Sequence, residues 1–287
     1  MTSWCRMDKI MNESYGYPES LDKRLQLFPA IFLVLALTEY FLSVWSRYIR
    51  LTLTLGEKYD YEKYYSDTFP QIFKFIPMNV VTAAYCSIIT VHATLMWGLM
   101  DVFIIIMSIA LALRFKQVSR RIAKHVKRAT SETFWAEIRE DYHRLSILCK
   151  ELDDHISYII LLSYTLNIFF ILKQLYESLE IRSGTVGKVY YLFSFLYLLV
   201  KVGSVSLYGA WINDESKEPA DMLNSVSSAC FNVEIKRLLA QINFDNVALT
   251  GCRMFKLTRG IILSIAGAVV TYELVLIQFN SATIDNY

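Results

Sequence analysis

Ionisable side chains interrupt several long apolar stretches of the sequence, where a charge is costly and therefore invites a functional explanation. They are Glu39, His92, Asp101, Lys201 and Glu273. Lys201 can pair with Glu39 or with Asp101, and either pairing would give these groups a structural role, because buried charges are usually paired. Structural pairing and ligand binding both stay open at this point.

Aromatic and amide side chains accompany these ionisable groups at spacings of four and seven residues, which put them on common helical faces. A polyol needs aromatic rings against its C–H faces and converging donors and acceptors for its hydroxyl groups. Polar stripes between membrane helices also serve as interhelical hydrogen bonds. The candidates for a ligand pocket are Glu39, Tyr85, His92, Trp97, Asp101, Tyr164, Asn167 and Gln174.

The last apolar stretch carries a second candidate site. Thr271, Val275 and Gln278 fall on one helical face, and Phe279 follows directly. If several copies of this helix surrounded an axis, rings of amide and apolar side chains would form a constriction that gates water and ions. The pattern predicts a gate as one option among several.

Long helices must position these side chains. The 287 residues are 54% hydrophobic and 20% charged, and the apolar residues gather in blocks of the length that a membrane crossing requires. The sequence therefore predicts an all-α membrane protein. Its five predicted spans are residues 27–45, 77–113, 156–172, 189–212 and 260–279.

Basic residues predict the orientation. The amino-terminal segment, residues 114–155 and residues 213–256 together hold 19 Lys and Arg, against 8 in the segments on the other side. An amino terminus in the cytoplasm and a carboxyl terminus outside follow from that difference.

Amphipathic patterns continue beyond the spans. Apolar residues recur at helical spacing from Phe115 to Val126, and again from Trp135 to Ile156 after a break at residues 130–133. They predict a cytoplasmic hairpin of two long helices, whose apolar stripes pack within one subunit or join subunits. A further helix is predicted to start near Pro219, with Val226, Cys230 and Val233 on its apolar stripe.

These observations divide the chain into consecutive segments. They are a cytoplasmic segment 1–26, two spans in 27–113 with an extracellular loop 46–76, a cytoplasmic hairpin 114–155, two spans in 156–212, a cytoplasmic segment 213–256, a last span 257–280 and an extracellular tail 281–287.

Other classes of function find no support in the residues. The four histidines are dispersed and the five cysteines have no paired spacing, so neither a metal site nor a cofactor is predicted. A net charge of +2 without basic and aromatic clusters argues against nucleic acid. The sequence shows neither a nucleophile motif, which would indicate an enzyme, nor a broken-helix repeat, which would indicate a transporter.

The carboxyl-terminal part resembles a known family. Residues 271–279 match the signature of insect gustatory receptors, in which Thr-Tyr and five hydrophobic residues precede Gln-Phe, and residues 248–251 and 255–259 resemble the lead into that span. Residues 97–103 and 148–156 resemble the sugar-receptor branch, and the likeness runs from about Leu21 onward.

The resemblance implies the insect chemoreceptor channel fold: a tetrameric, ligand-gated cation channel of seven-helix subunits with cytoplasmic amino termini. In that plan the last helix lines the pore, Gln278 and Phe279 are the gate, and residues 114–155 and 213–256 contribute to the anchor domain that joins the subunits. The implied partners are a sugar, other gustatory receptor subunits, permeating cations and the lipid bilayer of the plasma membrane in gustatory neurons.

The resemblance also implies two further amino-terminal spans, so the five windows would correspond to the third to seventh helices of the family. We therefore expect a truncated product or a shortened subunit. The leading hypothesis is a sugar-gated cation channel, and the alternative is a non-conducting or modulatory subunit. A G-protein-coupled receptor is opposed by the predicted cytoplasmic amino terminus.

Overall fold

A computed structural model gives the fold, and it describes residues 2–18, 21–55, 61–126, 128, 130–178, 185–228 and 230–284. Almost all of the regular structure is helical. The elements in chain order are α1 (Thr2–Tyr15), α2 (Leu21–Leu55), α3 (Tyr61–Thr68), α4 (Pro70–Phe73), α5 (Val80–His125), α6 (Glu132–Ser178), α7 (Thr185–Asn224), α8 (Val233–Phe244), β1 (Thr250–Gly251), β2 (Phe255–Lys256) and α9 (Arg259–Ile284).

Five of these helices, α2, α5, α6, α7 and α9, are long and apolar enough to cross a membrane. Each contains all or nearly all of one predicted window, and the prediction of a helical, multi-pass membrane protein is confirmed. Helices α5, α6 and α7 have 46, 47 and 40 residues. They exceed a single crossing because each apolar window continues into an amphipathic extension without a helix break.

The prediction of a helix that starts near Pro219 is wrong. Pro219 lies inside α7, which ends at Asn224, and the separate helix α8 begins at Val233. Asn232 caps α8 by accepting a hydrogen bond from the Ile235 amide at 2.9 Å. The buried face of α8 is consequently formed by Ile235, Leu238 and Ile242, while Val233 is exposed.

The described chain divides into two compact units. Unit 1 comprises Met1–Phe28, Val102–Thr165 and Val202–Ala268, and unit 2 comprises Pro29–Asp101, Leu166–Lys201 and Val269–Tyr287. Helices α2, α5, α6, α7 and α9 each contribute one part to unit 1 and another part to unit 2.

The amphipathic stripes of α5 and α6 form a large part of the core of unit 1. Phe115, Ile122, Trp135 and Tyr142 are all at least 98% buried, and the rings of Phe115 and Tyr142 meet edge to face with centroids 5.6 Å apart. These stripes therefore pack within one chain. Apolar burial of this kind is the main stabilising contribution to such a helix pair.

Helix α1 attaches to the same core through polar contacts. Arg114 pairs with Asp8 and donates to Asn12 Oδ1 at 2.6 Å, and the Tyr15 hydroxyl donates to Asp141 at 2.8 Å. The Arg114 side chain is only 5% exposed, and burying its charge is costly. Its ion pair and hydrogen bonds offset that cost.

A short hairpin precedes α9. Strands β1 and β2 pair antiparallel, with Thr250 opposite Lys256. Cys252 and Arg253, in the connecting turn, have φ values of 50° and 60°, a region that residues other than glycine seldom adopt. The Asp153 carboxylate of α6 fixes the turn by accepting from the Thr250 amide at 2.5 Å and from its hydroxyl at 2.8 Å.

Candidate functional site

Unit 2 contains a cavity of about 940 Å³. Helices α2, α3, α5, α6 and α7 line it, as does Phe69, which precedes α4. Its size is that of a pocket for a small organic molecule. The wall combines many aromatic rings with a similar number of polar and charged side chains.

One polar group of the wall is organised around Glu39. The Ser194 hydroxyl donates to Glu39 Oε1 at 3.0 Å, and the Tyr190 hydroxyl donates to the same oxygen at 3.4 Å. Gln174 donates from Nε2 to Ser194 Oγ at 2.6 Å. The chain of hydrogen bonds connects α2, α6 and α7 and fixes the direction of each dipole along it.

A second polar group is organised around Lys201. Its ammonium lies 2.9 Å from Asp101 Oδ2, with side chains only 1% and 0% exposed. The same ammonium lies 3.5 Å from the centroid of the Trp97 ring. Asn167 Nδ2 donates to Asp101 Oδ1 at 3.3 Å, so the carboxylate has both an opposite charge and an amide donor.

Aromatic rings form much of the remaining wall. Trp97 stacks on Phe170 with ring centroids 4.6 Å apart. Tyr64 and Tyr65 come from α3, and the hydroxyl of Tyr65 lies 2.7 Å from Ser87 Oγ on α5. Rings of this kind present C–H-binding faces together with polar hydroxyl and N–H groups.

The eight predicted pocket residues fall into three groups. Glu39, Trp97 and Gln174 line the cavity. Asp101 and Asn167 are buried and contact the lining through Lys201 and through each other.

The other three do not line the cavity. Tyr85 is 65% exposed and His92 is also exposed. Tyr164 belongs to unit 1, where its hydroxyl lies 2.7 Å from Ser206 Oγ and its ring contacts Phe255.

Tyr190 and Ser194 belong to the cavity wall and were not predicted. A signal for them exists, because Tyr190, Ser194, Tyr197 and Lys201 recur at intervals of four, three and four residues. That spacing places them on one polar face of an otherwise apolar helix. Tyr64 and Tyr65 had no such signal, since α3 lies in a segment without long periodicity.

The predicted gate lies on α9. Thr271, Val275 and Gln278 are exposed in the single chain, and the described apolar window of this helix has no buried residue. The side chain of Phe279 lies outside the described residues. An apolar helix that its own chain leaves uncovered requires lipid or other protein against it.

Known proteins resemble this chain along most of its length. The family model described as trehalose receptor matches residues 1–285. Among curated proteins of Drosophila melanogaster, gustatory receptor for sugar taste 64f is 36% identical over 219 residues, covering 76% of this chain and 47% of the relative. Gustatory receptor 5a for trehalose is 33% identical, covering 90% and 58%. Gustatory receptor for sugar taste 64a is 32% identical, covering 96% and 62%. The chain thus spans about half to three fifths of the length of these relatives.

Solved structures show the same fold at low identity. The olfactory receptor OR5 of the insect Machilis hrabei aligns with a TM-score of 0.63 and 13% identity, covering 96% of this chain and 75% of the receptor. Its complex with eugenol aligns with a TM-score of 0.54 and 14% identity, covering 92% and 70%.

Proposed function

The chain belongs to the insect gustatory receptor family, in its trehalose receptor group, and from this premise we propose that it is a subunit of a sugar-gated cation channel for sweet compounds. The cavity of unit 2 carries the proposal. It combines aromatic rings with the hydrogen-bonded set of Glu39, Ser194 and Gln174. Neutral polyols are recognised by that combination of rings and directional polar groups.

The conducting part of the proposal rests on α9. Its exposed apolar surface needs partners, and a face of Thr271, Val275 and Gln278 suits the centre of an assembly of several subunits. We therefore assign these residues and Phe279 to the gate of a homo- or heterotetramer in the plasma membrane of gustatory neurons. The permeating species are cations.

Whole-cell current in cells that express the chain tests this function. Trehalose, sucrose, glucose and fructose are applied to cells with the chain alone, and then to cells that also express a longer family member. Sugar-evoked cation current in the first case supports the channel. Silence alone with an altered current in the mixture identifies a modulatory subunit, and no effect in either case contradicts the proposal.

Replacing Gln278 with Ala tests the gate. Loss of the Gln278 amides that surround the pore is expected to change cation selectivity or the sugar concentration for half-maximal current, because polar groups at a constriction set the barrier to ions. Val270→Ala is the control, since Val270 is also exposed on α9 and lies off the predicted face. Identical selectivity and gating in both variants would remove Gln278 from the gate.

A further inference from the structure

Two buried polar atoms in the cavity wall have no hydrogen-bond partner among the described residues. They are the indole N–H of Trp97 and the amide oxygen Oε1 of Gln174. Both residues line the same cavity. Buried polar atoms are normally paired, and those that are not require an explanation such as a ligand.

The other contacts of Trp97 leave its N–H as the group available to a ligand. The ring stacks on Phe170 and lies 3.5 Å, by centroid, from the Lys201 ammonium. Its π-system is therefore already engaged by protein groups. The indole N–H is the polar atom of this lining residue that has no partner among the described residues.

The orientation of the Gln174 amide is fixed by its neighbours. Its Nε2 donates to Ser194 Oγ, and Ser194 donates in turn to Glu39 Oε1. A flipped amide would place Oε1 against a hydroxyl whose proton is already committed to Glu39, and that hydrogen bond would be lost. Oε1 therefore stays free as a pure acceptor.

The charges around the cavity favour a neutral ligand. Lys201 is paired with Asp101, and Lys173 lies 3.6 Å from Glu177. Among the described lining residues, the charges that remain are those of Arg47 and Glu39, and they have opposite signs. A charged ligand would have to be desolvated without a matching excess charge, which is unfavourable.

From these contacts we propose that Trp97 Nε1 and Gln174 Oε1 select two different hydroxyl groups of a neutral polyol. One hydroxyl oxygen accepts from the Trp97 indole, and a second hydroxyl donates its proton to Gln174 Oε1. The inference rests on the proposed sugar-binding function and assigns the specificity of that site. The Trp97 position requires an acceptor on the ligand, and the Gln174 position requires a donor.

Analogues of trehalose separate these two requirements. Affinities for the purified protein are measured by calorimetry with trehalose and with analogues in which each hydroxyl in turn is replaced by hydrogen or by fluorine. Fluorine cannot donate and accepts weakly. At the hydroxyl that donates to Gln174, we expect both replacements to weaken binding equally. At the hydroxyl that accepts from Trp97, fluorine should be tolerated better than hydrogen.

Two variants connect these positions to the residues. Trp97→Phe keeps an aromatic ring beside Phe170 and Lys201 but removes the N–H, so affinity falls roughly tenfold, the value of one hydrogen bond, and the fluorine preference disappears. Gln174→Met removes the amide, so replacing the hydroxyl that donates to Gln174 should no longer weaken binding. Trp4→Phe, the same change outside the cavity, should leave the analogue profile as it was.

The outcomes are distinguishable. Failure of the unchanged protein to bind any of these disaccharides overturns the proposed sugar site and this inference together. Binding that Trp97→Phe leaves unaltered in affinity and analogue profile overturns the inference while the sugar site stands. An equal loss for every analogue, accompanied by a lower melting temperature without sugar, assigns Trp97 a structural role and overturns it as well.

Discussion

Lys201 and Asp101 form an ion pair from which solvent is almost completely excluded. Burying two charges is expensive, and their attraction offsets the cost only when geometry is good and the remaining polar atoms are satisfied. Here Asn167 donates to the carboxylate and the Trp97 ring faces the ammonium. The pair thus joins α5, α6 and α7 directly beside the cavity wall.

Removing one member of this pair is expected to destabilise the protein strongly. Lys201→Met leaves the Asp101 carboxylate buried without its counter-ion, and Asp101→Asn does the same to the ammonium. Each should lower the free energy of unfolding by about 3–5 kcal/mol, and the double variant should recover much of the loss. Thermal unfolding in detergent measures the effect.

The exposed ion pair of the same unit serves as the control. Lys173 and Glu177 lie 3.6 Å apart with side chains 54% and 36% exposed, so Lys173→Met should cost less than about 1 kcal/mol. Equal melting temperatures for Lys201→Met and Lys173→Met would contradict a stabilising role of the buried pair.

The sequence predicted part of this site for a physical reason. Glu39, Trp97 and Gln174 were identified because carboxylate, aromatic and amide side chains inside apolar helices suit a polyol, and all three line the cavity. The choice between Glu39 and Asp101 as partner of Lys201 was not predictable. It depends on the relative rotation of α2 and α5, which helical periodicity within each segment leaves undetermined.

Helix α8 is held to α6 by a charged contact of a different kind. Glu234 accepts from Arg139 Nε at 2.6 Å and from Arg237 on its own helix at 2.7 Å. The hydrogen bond from Arg139 holds the pKa of Glu234 below its ordinary value of 4.5. This contact stabilises the fold above that value and loses its effect as the pH falls through the lowered pKa.

The acid sensitivity of the fold should therefore contain a contribution from Glu234. In Glu234→Gln the melting temperature at neutral pH falls, since the ionised acceptor of Arg139 is lost. As the pH falls from about 5 to about 3, through the ordinary pKa and towards the lowered one, the difference from the unchanged protein should shrink. Differential scanning calorimetry across this range decides the matter, and parallel curves for the two proteins would argue against it.

The entry into α9 depends on a close approach between two segments of unit 1. A Cβ atom added to Gly209 of α7 would overlap the side chain of the fully buried Leu257, two residues before α9 begins. The need for a residue without a side chain at position 209 arises from this tertiary contact, so the local pattern of α7 gives no sign of it.

Gly209→Ala should lower stability by about 1–3 kcal/mol through overpacking, although alanine is the better helix former. Gly203 lies in the same helix, where an added Cβ atom would meet no atom of the described residues within 4 Å, so Gly203→Ala should be neutral or stabilising. Urea unfolding of both variants provides the comparison. Equal stabilities would show that Leu257 yields without cost.

At the scale of the whole molecule, the distribution of apolar surface was predictable and its partners were not. All five membrane-length helices were found from composition, because a bilayer demands long apolar stretches. The ends of α5, α6 and α7 extended well beyond those windows. The uncovered surface of α9 suits lipid and neighbouring subunits alike, because both present apolar groups to it.

The predicted orientation can be tested with the cysteines that the chain already has. Cys5 is exposed, Cys230 and Cys252 are partly exposed, and all three lie in segments predicted to be cytoplasmic. A membrane-impermeant maleimide applied to intact cells should therefore leave these thiols unlabelled and should reach them after permeabilisation.

The exposed Lys63, in the predicted extracellular loop, provides the opposite control for the orientation. Lys63→Cys should be labelled in intact cells, because the excess of Lys and Arg in residues 1–26, 114–155 and 213–256 predicts that those segments are cytoplasmic and that the loop of Lys63 is extracellular. Labelling of the native thiols from outside, with Lys63→Cys protected until permeabilisation, would reverse the predicted orientation.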